Sequence, residues 1–196
     1  VLAVNYSRRF SPAFQALRQE LKQGLHGCPI LVRVLYSKGL FHSGTHAIDL
    51  MRFWLGEPIK AKGYAVEWGP EGDETYSADL WFENGCRVRL EAIDDRVASV
   101  FEVDVITDQV RWSFWLGGTL WEFFELKNSP RYSGYNTYVS SKRAETDPLF
   151  TNPMAECLKH AVTNLVDHLE EAVPLICTGK DGLAALYWAE RIRGSI

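Results

Sequence analysis

The sequence predicts one α+β domain, spanning residues 1–196, with a largely antiparallel, open-faced sheet and helices on one face. Two observations lead to this fold class. From about residue 59 to residue 126, apolar and polar residues alternate in successive short segments, which is typical of strands that bury one face. Segments with helical periodicity stand on both sides of that region, and their apolar stripes are expected to cover the buried face of the sheet.

Turn signals separate the predicted strands. Residues 29–37 form an apolar, imperfectly alternating strand that leads into a glycine turn. Further along, Asn84-Gly85 predicts a tight hairpin, and Gly117-Gly118 predicts a second one between two aromatic-rich strands. Residues 1–6 are apolar and are expected to form another strand, whereas the polar, tyrosine-rich residues 131–145 are expected to form a loop.

Four segments carry helix signals. Ser11 and Pro12 predict the start of the first helix, and Gly24 predicts its end. The second is expected to begin at a Ser43 or Thr45 cap and to stop at Gly56 and Pro58. The remaining two are expected to run from an Asn152 cap to about residue 172, and over residues 181–192.

The composition argues against several classes of protein. The chain has a formal net charge of −4 and no basic run, which argues against a nucleic-acid-binding protein. Its apolar runs are too short to span a membrane, and the N-terminus lacks the features of a signal peptide. Four widely spaced cysteines without a C-x-x-C motif are typical of a reducing compartment, so we expect a cytoplasmic location.

The second helix places His42, His46 and Asp49 close together on one face, because a helix has about 3.6 residues per turn. Imidazole exchanges protons near neutral pH, so His42 and His46 are the candidate catalytic residues and Asp49 is a candidate substrate-binding residue. A pair of histidines four residues apart with a carboxylate can also bind zinc. That metal site remains an alternative, although the usual supporting residues do not surround the pair.

Three other residues are candidates for binding substrate. Arg9, together with Arg8, can hold an anionic group, although a solvated turn is an equal alternative. Tyr36 ends the strand that leads into the glycine turn. Tyr135 lies in the predicted tyrosine-rich loop, where stacking and hydroxyl contacts would suit a sugar-like ligand, or simple loop packing.

The face of the sheet opposite the helices combines charges of both signs with aromatic residues such as Trp81. The hairpin over residues 112–124 adds more aromatic residues. Because aromatic and arginine side chains favour interfaces, we expect this open face to pair subunits into a homodimer or tetramer.

Three stretches resemble the C-terminal domain of the Gfo/Idh/MocA oxidoreductases, the family of glucose–fructose oxidoreductase and inositol dehydrogenase. Residues 4–12, V-N-Y-S-R-R-F-S-P, resemble the segment by which that family leaves its nucleotide-binding domain. The stretch from Ser43 to Glu57 resembles its G-x-H-x-x-D helix. Residues 179–190 resemble its final helix, so the likeness spans nearly the whole chain.

The resemblance implies a fold like the C-terminal domain of glyceraldehyde-3-phosphate dehydrogenase and an oxidoreductase that uses NAD or NADP on a sugar, cyclitol or similar polyol. It implies that His46 is the proton-transfer residue, working with a lysine of the nucleotide domain. His42 stands where the family usually has Asp or Asn, which is a departure from the relay. Asp49 matches an acid that can bind a substrate hydroxyl.

The sequence contains no G-x-G-x-x-G turn and no E-K-P stretch. We therefore expect an N-terminal nucleotide-binding domain outside this chain, and we expect the chain alone, which lacks an initial Met, to be an inactive fragment. A non-catalytic sugar-binding or assembly module of the same fold remains an alternative.

Overall fold

Eight strands form one open sheet in the order β2-β3-β4-β1-β5-β6-β7-β8. The computed structural model describes residues 1–69, 71–141 and 148–195, except for the side chains of residues 65–68. Neighbouring strands pair antiparallel, apart from β1 and β4, which are parallel. The predicted class, an α+β domain with a mostly antiparallel open sheet, is confirmed. The strands are β1 Pro29–Tyr36, β2 Pro58–Trp68, β3 Thr75–Phe82, β4 Arg87–Ala92, β5 Phe101–Thr107, β6 Val110–Trp115, β7 Leu120–Asn128 and β8 Asn136–Ser140.

Four α-helices lie in the described part of the chain, and none of them is long and apolar enough to cross a membrane. A short 3₁₀ turn, Ser7–Phe10, precedes the first helix, and a π-helical turn, Gly39–Gly44, precedes the second. The helices are α1 Pro12–Gln23, α2 Thr45–Leu55, α3 Cys157–Glu171 and α4 Gly179–Arg193.

The core lies between the helices and one face of the sheet. Alternate residues of the central strands, such as Val34 of β1 and Val105 of β5, are fully buried beneath the helices. The residues between them point to the other face, where Asp104 accepts hydrogen bonds from Arg111 and Ser113. One face is therefore apolar and covered, and the other carries charges, as alternation predicts.

The aromatic hairpin lies differently from its predicted position. The prediction placed its tryptophans on the open face, but Trp112 and Trp121 are buried on the core face with Phe114 and Phe123. Apolar and polar residues alternate along β6 and β7, and the large apolar side chains face the core because they gain most free energy when they leave water. Trp81 remains on the open face, beneath Lys60.

Three predicted elements require correction. Residues 1–6 form no strand, and only Ala3 bridges to Thr178. The expected loop over residues 131–145 contains β8, which extends the sheet edge through backbone hydrogen bonds to β7; residues 142–145 of that loop lie outside the described residues. The helix expected from Asn152 begins only at Cys157, because Glu156 has a left-handed backbone conformation with φ of 57°.

The chain between β1 and α2 forms the region that carries the candidate histidines. After Tyr36 the backbone turns at Lys38, whose φ is 69°, and then enters the π-helical turn. Helical backbone continues through Thr45, so Ser43 and Thr45 do not cap α2 as predicted. Instead, the Thr45 hydroxyl donates to the carbonyls of Phe41 and His42, at 2.9 and 2.8 Å.

Candidate functional site

A pocket of about 440 Å³ lies beside the π-helical turn. The 3₁₀ turn before α1, the start of α2, the segment that enters β5 and the β6–β7 connection all contribute to its walls. The polar side chains that line it are Arg8, Lys38, His42, Ser43, His46 and Ser99. The structure therefore brings the two predicted catalytic histidines into one pocket, together with two basic residues.

Hydrogen bonds from the backbone of the π-helical turn to the side chains of Asp73 and Thr75 hold the turn against the start of β3. The Asp73 carboxylate accepts from the backbone N–H groups of Phe41, at 2.7 Å, and His42, at 3.0 Å. The Thr75 hydroxyl accepts from the Gly39 N–H at 2.8 Å. Gly39 has φ of 82°, and a Cβ there would meet the Asp73 carboxylate, so glycine is required at this position.

His46 is half-buried, and its ring meets two others at their edges. The Tyr6 ring centroid is 4.9 Å away and the His42 ring centroid is 6.4 Å away. Burial, together with the nearby Arg8 and His42, lowers the pKa of His46 from 6.5 to about 4. His46 is therefore a neutral imidazole at pH 7, which is the form that can accept a proton.

Arg8 covers one side of the pocket. Its guanidinium carbon lies 3.3 Å from the centroid of the Phe101 ring, and its Nη2 donates to the Gly117 carbonyl at 3.1 Å. Its Nε is buried without a hydrogen-bond partner among the described residues. Burial lowers the pKa of Arg8 to about 10, because it removes water from the charged guanidinium.

Asp49 and Arg9 do not line this pocket and bind each other. The Arg9 guanidinium donates from Nε and Nη2 to the two carboxylate oxygens of Asp49, both at 2.7 Å, and its Nη1 lies 2.9 Å from Asp181. Arg52 also contacts Asp49, at 3.4 Å. Burial raises the pKa of Asp49, and the Arg9 hydrogen bonds oppose that shift. The structure thus pairs these two predicted substrate-binding residues with each other, and their roles toward substrate stay predictions.

The two predicted tyrosines also lie outside the pocket. Tyr36 is fully buried, and its hydroxyl donates to the Tyr76 carbonyl at 2.6 Å and accepts from the Tyr76 N–H at 3.1 Å. Tyr135 is 71% exposed in the connection between β7 and β8. Neither side chain lines the pocket, and their assignment to substrate binding stays a prediction.

The geometry also bears on the alternative metal site of His42, His46 and Asp49. Zinc binding would require Asp49 to turn toward His42 and His46, but its carboxylate is bound by two arginines. Within residues 1–69, 71–141 and 148–195, no group of three metal-ligating side chains has a suitable arrangement.

Several pocket residues were not among the predicted site residues. Arg8 was weighed as an anion-binding residue, and its place beside Arg9 in the R-R-F motif was the available signal. Lys38 precedes the glycine turn, which is a weaker signal. Ser99 and Phe101 enter the pocket from a strand distant in sequence, and no local pattern identifies them.

Several solved structures of oxidoreductases have a similar fold. A levoglucosan dehydrogenase, solved with NADH and levoglucosan, superposes with a TM-score of 0.75 at 15% identity, over 100% of this chain and 64% of its own. A UDP-N-acetylglucosamine 3-dehydrogenase from Acidithiobacillus ferrooxidans gives a TM-score of 0.68 at 16% identity, over 100% and 61%. An oxidoreductase from Agrobacterium radiobacter, solved with NAD⁺, L-tartaric acid and magnesium, gives 0.62 at 17%, over 98% and 62%.

The chain has the fold of Gfo/Idh/MocA-type oxidoreductases. The resemblance of the three sequence stretches is therefore confirmed at the level of the fold, consistent with the C-terminal domain. No family model and no curated protein matches the sequence. The chain spans less than two thirds of the length of these solved structures.

Proposed function

We propose that this chain is the substrate-binding and assembly half of an NAD(P)-dependent oxidoreductase that acts on a sugar, cyclitol or similar polyol. The observation that carries the proposal is the pocket in which His42 and His46 meet. The fold supports it, because structures with this fold include dehydrogenases solved with NADH or NAD⁺.

His46 is the proposed acid–base residue. Oxidation of a carbinol requires a group that takes the hydroxyl proton as the carbonyl forms. With its pKa lowered to about 4, His46 is uncharged at neutral pH and can accept that proton. The edge of the Tyr6 ring restricts the imidazole on one side, which favours a fixed orientation toward the pocket.

His42 has a secondary role in this proposal. It is exposed on the π-helical turn, and it lines the same pocket as His46. From there it can hold a substrate hydroxyl or orient the substrate toward His46. The His42 backbone N–H donates to the Asp73 carboxylate, and this bond helps to hold the His42 ring near the His46 ring.

NAD or NADP, when bound, would accept or donate the hydride. The sequence has no glycine-rich phosphate turn, so the residues of this chain do not fit the pyrophosphate of the cofactor. We propose that a nucleotide-binding domain outside this chain holds it and supplies the partner lysine. The chain by itself would then bind substrate without transferring hydride.

The proposal includes assembly through the open face of the sheet into a homodimer or tetramer. That face carries paired charges and Trp81 in place of an apolar surface. All four cysteines are free, which supports a reducing compartment such as the cytoplasm.

The decisive experiment is the sequence and activity of the longer protein. The coding sequence upstream of Val1 should encode a Gly-rich nucleotide turn and a lysine motif. The longer protein should then reduce NAD⁺ or NADP⁺ with a polyol, followed by the absorbance of the reduced nicotinamide. Lack of an upstream nucleotide-binding domain would favour the non-catalytic sugar-binding module and contradict the enzyme.

A further inference from the structure

We propose that the pocket recognises an oxyanion on the substrate, a carboxylate or a phosphate, through Arg8 and Lys38. The inference rests on the proposed function, because it assigns the substrate class of the same pocket. It narrows that class from neutral polyols to polyhydroxylated acids or sugar phosphates.

Adjacent arginines of the same motif have opposite environments. Arg9 is fully neutralised by Asp49 and Asp181. Arg8 has no ion pair with any described residue, and its Nε is buried without a partner. A desolvated cation lowers stability unless an anion or hydrogen-bond acceptor accompanies it, so the environment of Arg8 is suited to an anionic ligand.

The Arg8 guanidinium is fixed before any ligand binds. Phe101 stacks on its plane, and the Gly117 carbonyl accepts from Nη2. The Gly117 carbonyl satisfies one N–H donor of the guanidinium, and the Phe101 ring packs on its flat face. The remaining N–H donors of the guanidinium are available to an acceptor on a ligand. A pre-organised guanidinium loses little side-chain entropy on binding, which favours a charge-assisted hydrogen bond.

Lys38 adds a second positive charge to the same pocket. It forms no ion pair with a described residue and is exposed to solvent. No carboxylate of the described residues lines the pocket, and Asp73, which lies beside the turn, is occupied by the N–H groups of Phe41 and His42. Nothing on the described walls therefore competes with a ligand oxyanion for Arg8 and Lys38.

An oxyanion bound in this pocket would also help to position the substrate for proton transfer to His46. Arg8 and His46 line one pocket, so an oxyanion bound by Arg8 would hold a neighbouring carbinol beside the imidazole. His46 is uncharged at neutral pH, which leaves the basic residues as the positive charges that a ligand meets.

The test measures binding to the 196-residue chain by isothermal titration calorimetry, with matched pairs of ligands. D-galacturonate and D-glucose 6-phosphate carry the oxyanions, and D-galactose and D-glucose are their neutral counterparts. The variants are Arg8→Gln and Lys38→Gln. Arg18→Gln is the matched control, because Arg18 also stacks on a phenylalanine, at 4.3 Å from Phe53, and has an unpartnered Nε, but lies outside this pocket.

We expect at least one anionic ligand to bind more tightly than its neutral counterpart. Arg8→Gln should weaken it by roughly tenfold to a hundredfold, as for the loss of a charged hydrogen bond, and Lys38→Gln by a smaller factor. Circular dichroism establishes that each variant is folded. The preference between uronate and phosphate identifies which oxyanion the pocket takes.

Equal binding of charged and neutral ligands, or equal losses in Arg8→Gln and Arg18→Gln, would overturn the inference. Absence of anion binding would do the same, because both basic residues belong to this chain. NADP⁺ binding that depends on Arg8, with no sugar anion bound, would instead assign the charge to the cofactor. A longer protein that oxidises only neutral polyols would contradict this inference and leave the proposed function intact.

Discussion

Arg9 and Asp49 form a two-bond ion pair, with both nitrogen–oxygen distances at 2.7 Å, that joins the N-terminal 3₁₀ turn to α2. The side chains are only 8% and 1% exposed. Arg9 also contacts Asp181 in the first turn of α4, so one guanidinium connects three elements. The pair therefore orients α2, and with it His46 in the first turn of that helix.

The first prediction concerns the stability that this pair provides. Asp49→Asn removes the negative charge and leaves Arg9 partly uncompensated in a buried position. We expect the free energy of unfolding to fall by about 3–5 kcal/mol, the usual cost of breaking a buried ion pair. Chemical denaturation of the variant and the original chain measures this difference.

The matched control for that variant is Asp94→Asn. Asp94 pairs with Arg96, whose side chain is 75% exposed, so solvent screens the interaction. The control should leave the free energy of unfolding nearly unchanged, because solvent screens exposed pairs. If the two variants are equally stable, the Arg9–Asp49 pair does not join these elements as described.

The sequence predicted most of the fold because its strands alternate clearly. Residues 29–37, the Asn84-Gly85 turn and the Ser11 cap of α1 all lie as expected, and each rests on local chemistry. The Ser11 hydroxyl accepts from the Phe14 N–H at 3.2 Å. β8 was missed because polar, tyrosine-rich residues form this edge strand, which is stabilised by pairing with β7 rather than by burial.

The site was only partly predictable for a different reason. Helical spacing brings His42 and His46 together, and spacing is visible in sequence. It also placed Asp49 beside them, but Arg9, which is distant in sequence, binds that carboxylate outside the pocket lining. Contacts between residues far apart in sequence, such as Arg8 with Phe101, depend on the sheet order and have no local signal.

The second prediction concerns the stability of the chain in acid. Because the pKa of His46 falls from 6.5 to about 4 on folding, the unfolded chain binds more protons than the folded chain between those pH values. Stability should therefore decrease as the pH falls from about 6.5 to about 4. His46→Gln should lose less stability over that interval, measured by urea denaturation at several pH values.

His168→Gln is the control for this measurement, since His168 lies on α3 and bonds to the Val173 carbonyl outside the pocket. Its stability should still decrease in acid, because His46 is unchanged in this variant. An unchanged dependence in His46→Gln would show that His46 does not titrate as its surroundings indicate.

The third prediction concerns the electrostatic coupling between His42 and His46. His42 is one of the groups that lower the pKa of His46. His42→Asp replaces that imidazole with a carboxylate, so the pKa of His46 should rise. His42→Asn should give a smaller rise, because it removes the imidazole without adding a negative charge. Proton NMR titration of the His46 ring follows both variants.

The same variant tests the departure from the family pattern. In the longer protein, His42→Asp should keep or increase turnover, because it restores the residue usual at that position. A large loss of turnover in a folded His42→Asp protein would show that His42 itself supports the reaction.

The fourth prediction concerns assembly through the open face of the sheet. Trp81 lies on that face, with Lys60 at 5.0 Å and Arg87 at 5.9 Å from its ring. Trp81→Glu should shift the assembly toward monomers in light scattering, because it places a charge in the expected interface. Leu158→Glu is the control, since Leu158 is 65% exposed on α3, away from the sheet face. Dissociation by Leu158→Glu alone, or a monomeric original protein at high concentration, would contradict the predicted interface.

The last prediction concerns the proton-transfer role of His46. In the longer protein, His46→Ala should lower turnover by roughly 10²–10⁴-fold, the usual contribution of a general acid–base residue. Folding should change little, because the ring is half-buried at the pocket wall and its ring contacts in the described part of the chain are edge contacts with Tyr6 and His42. Steady-state kinetics across pH separates this role from binding, since loss of the base should reduce kcat more than it raises KM. Near-normal turnover in a folded His46→Ala protein would remove His46 from the reaction and leave the pocket as a binding site.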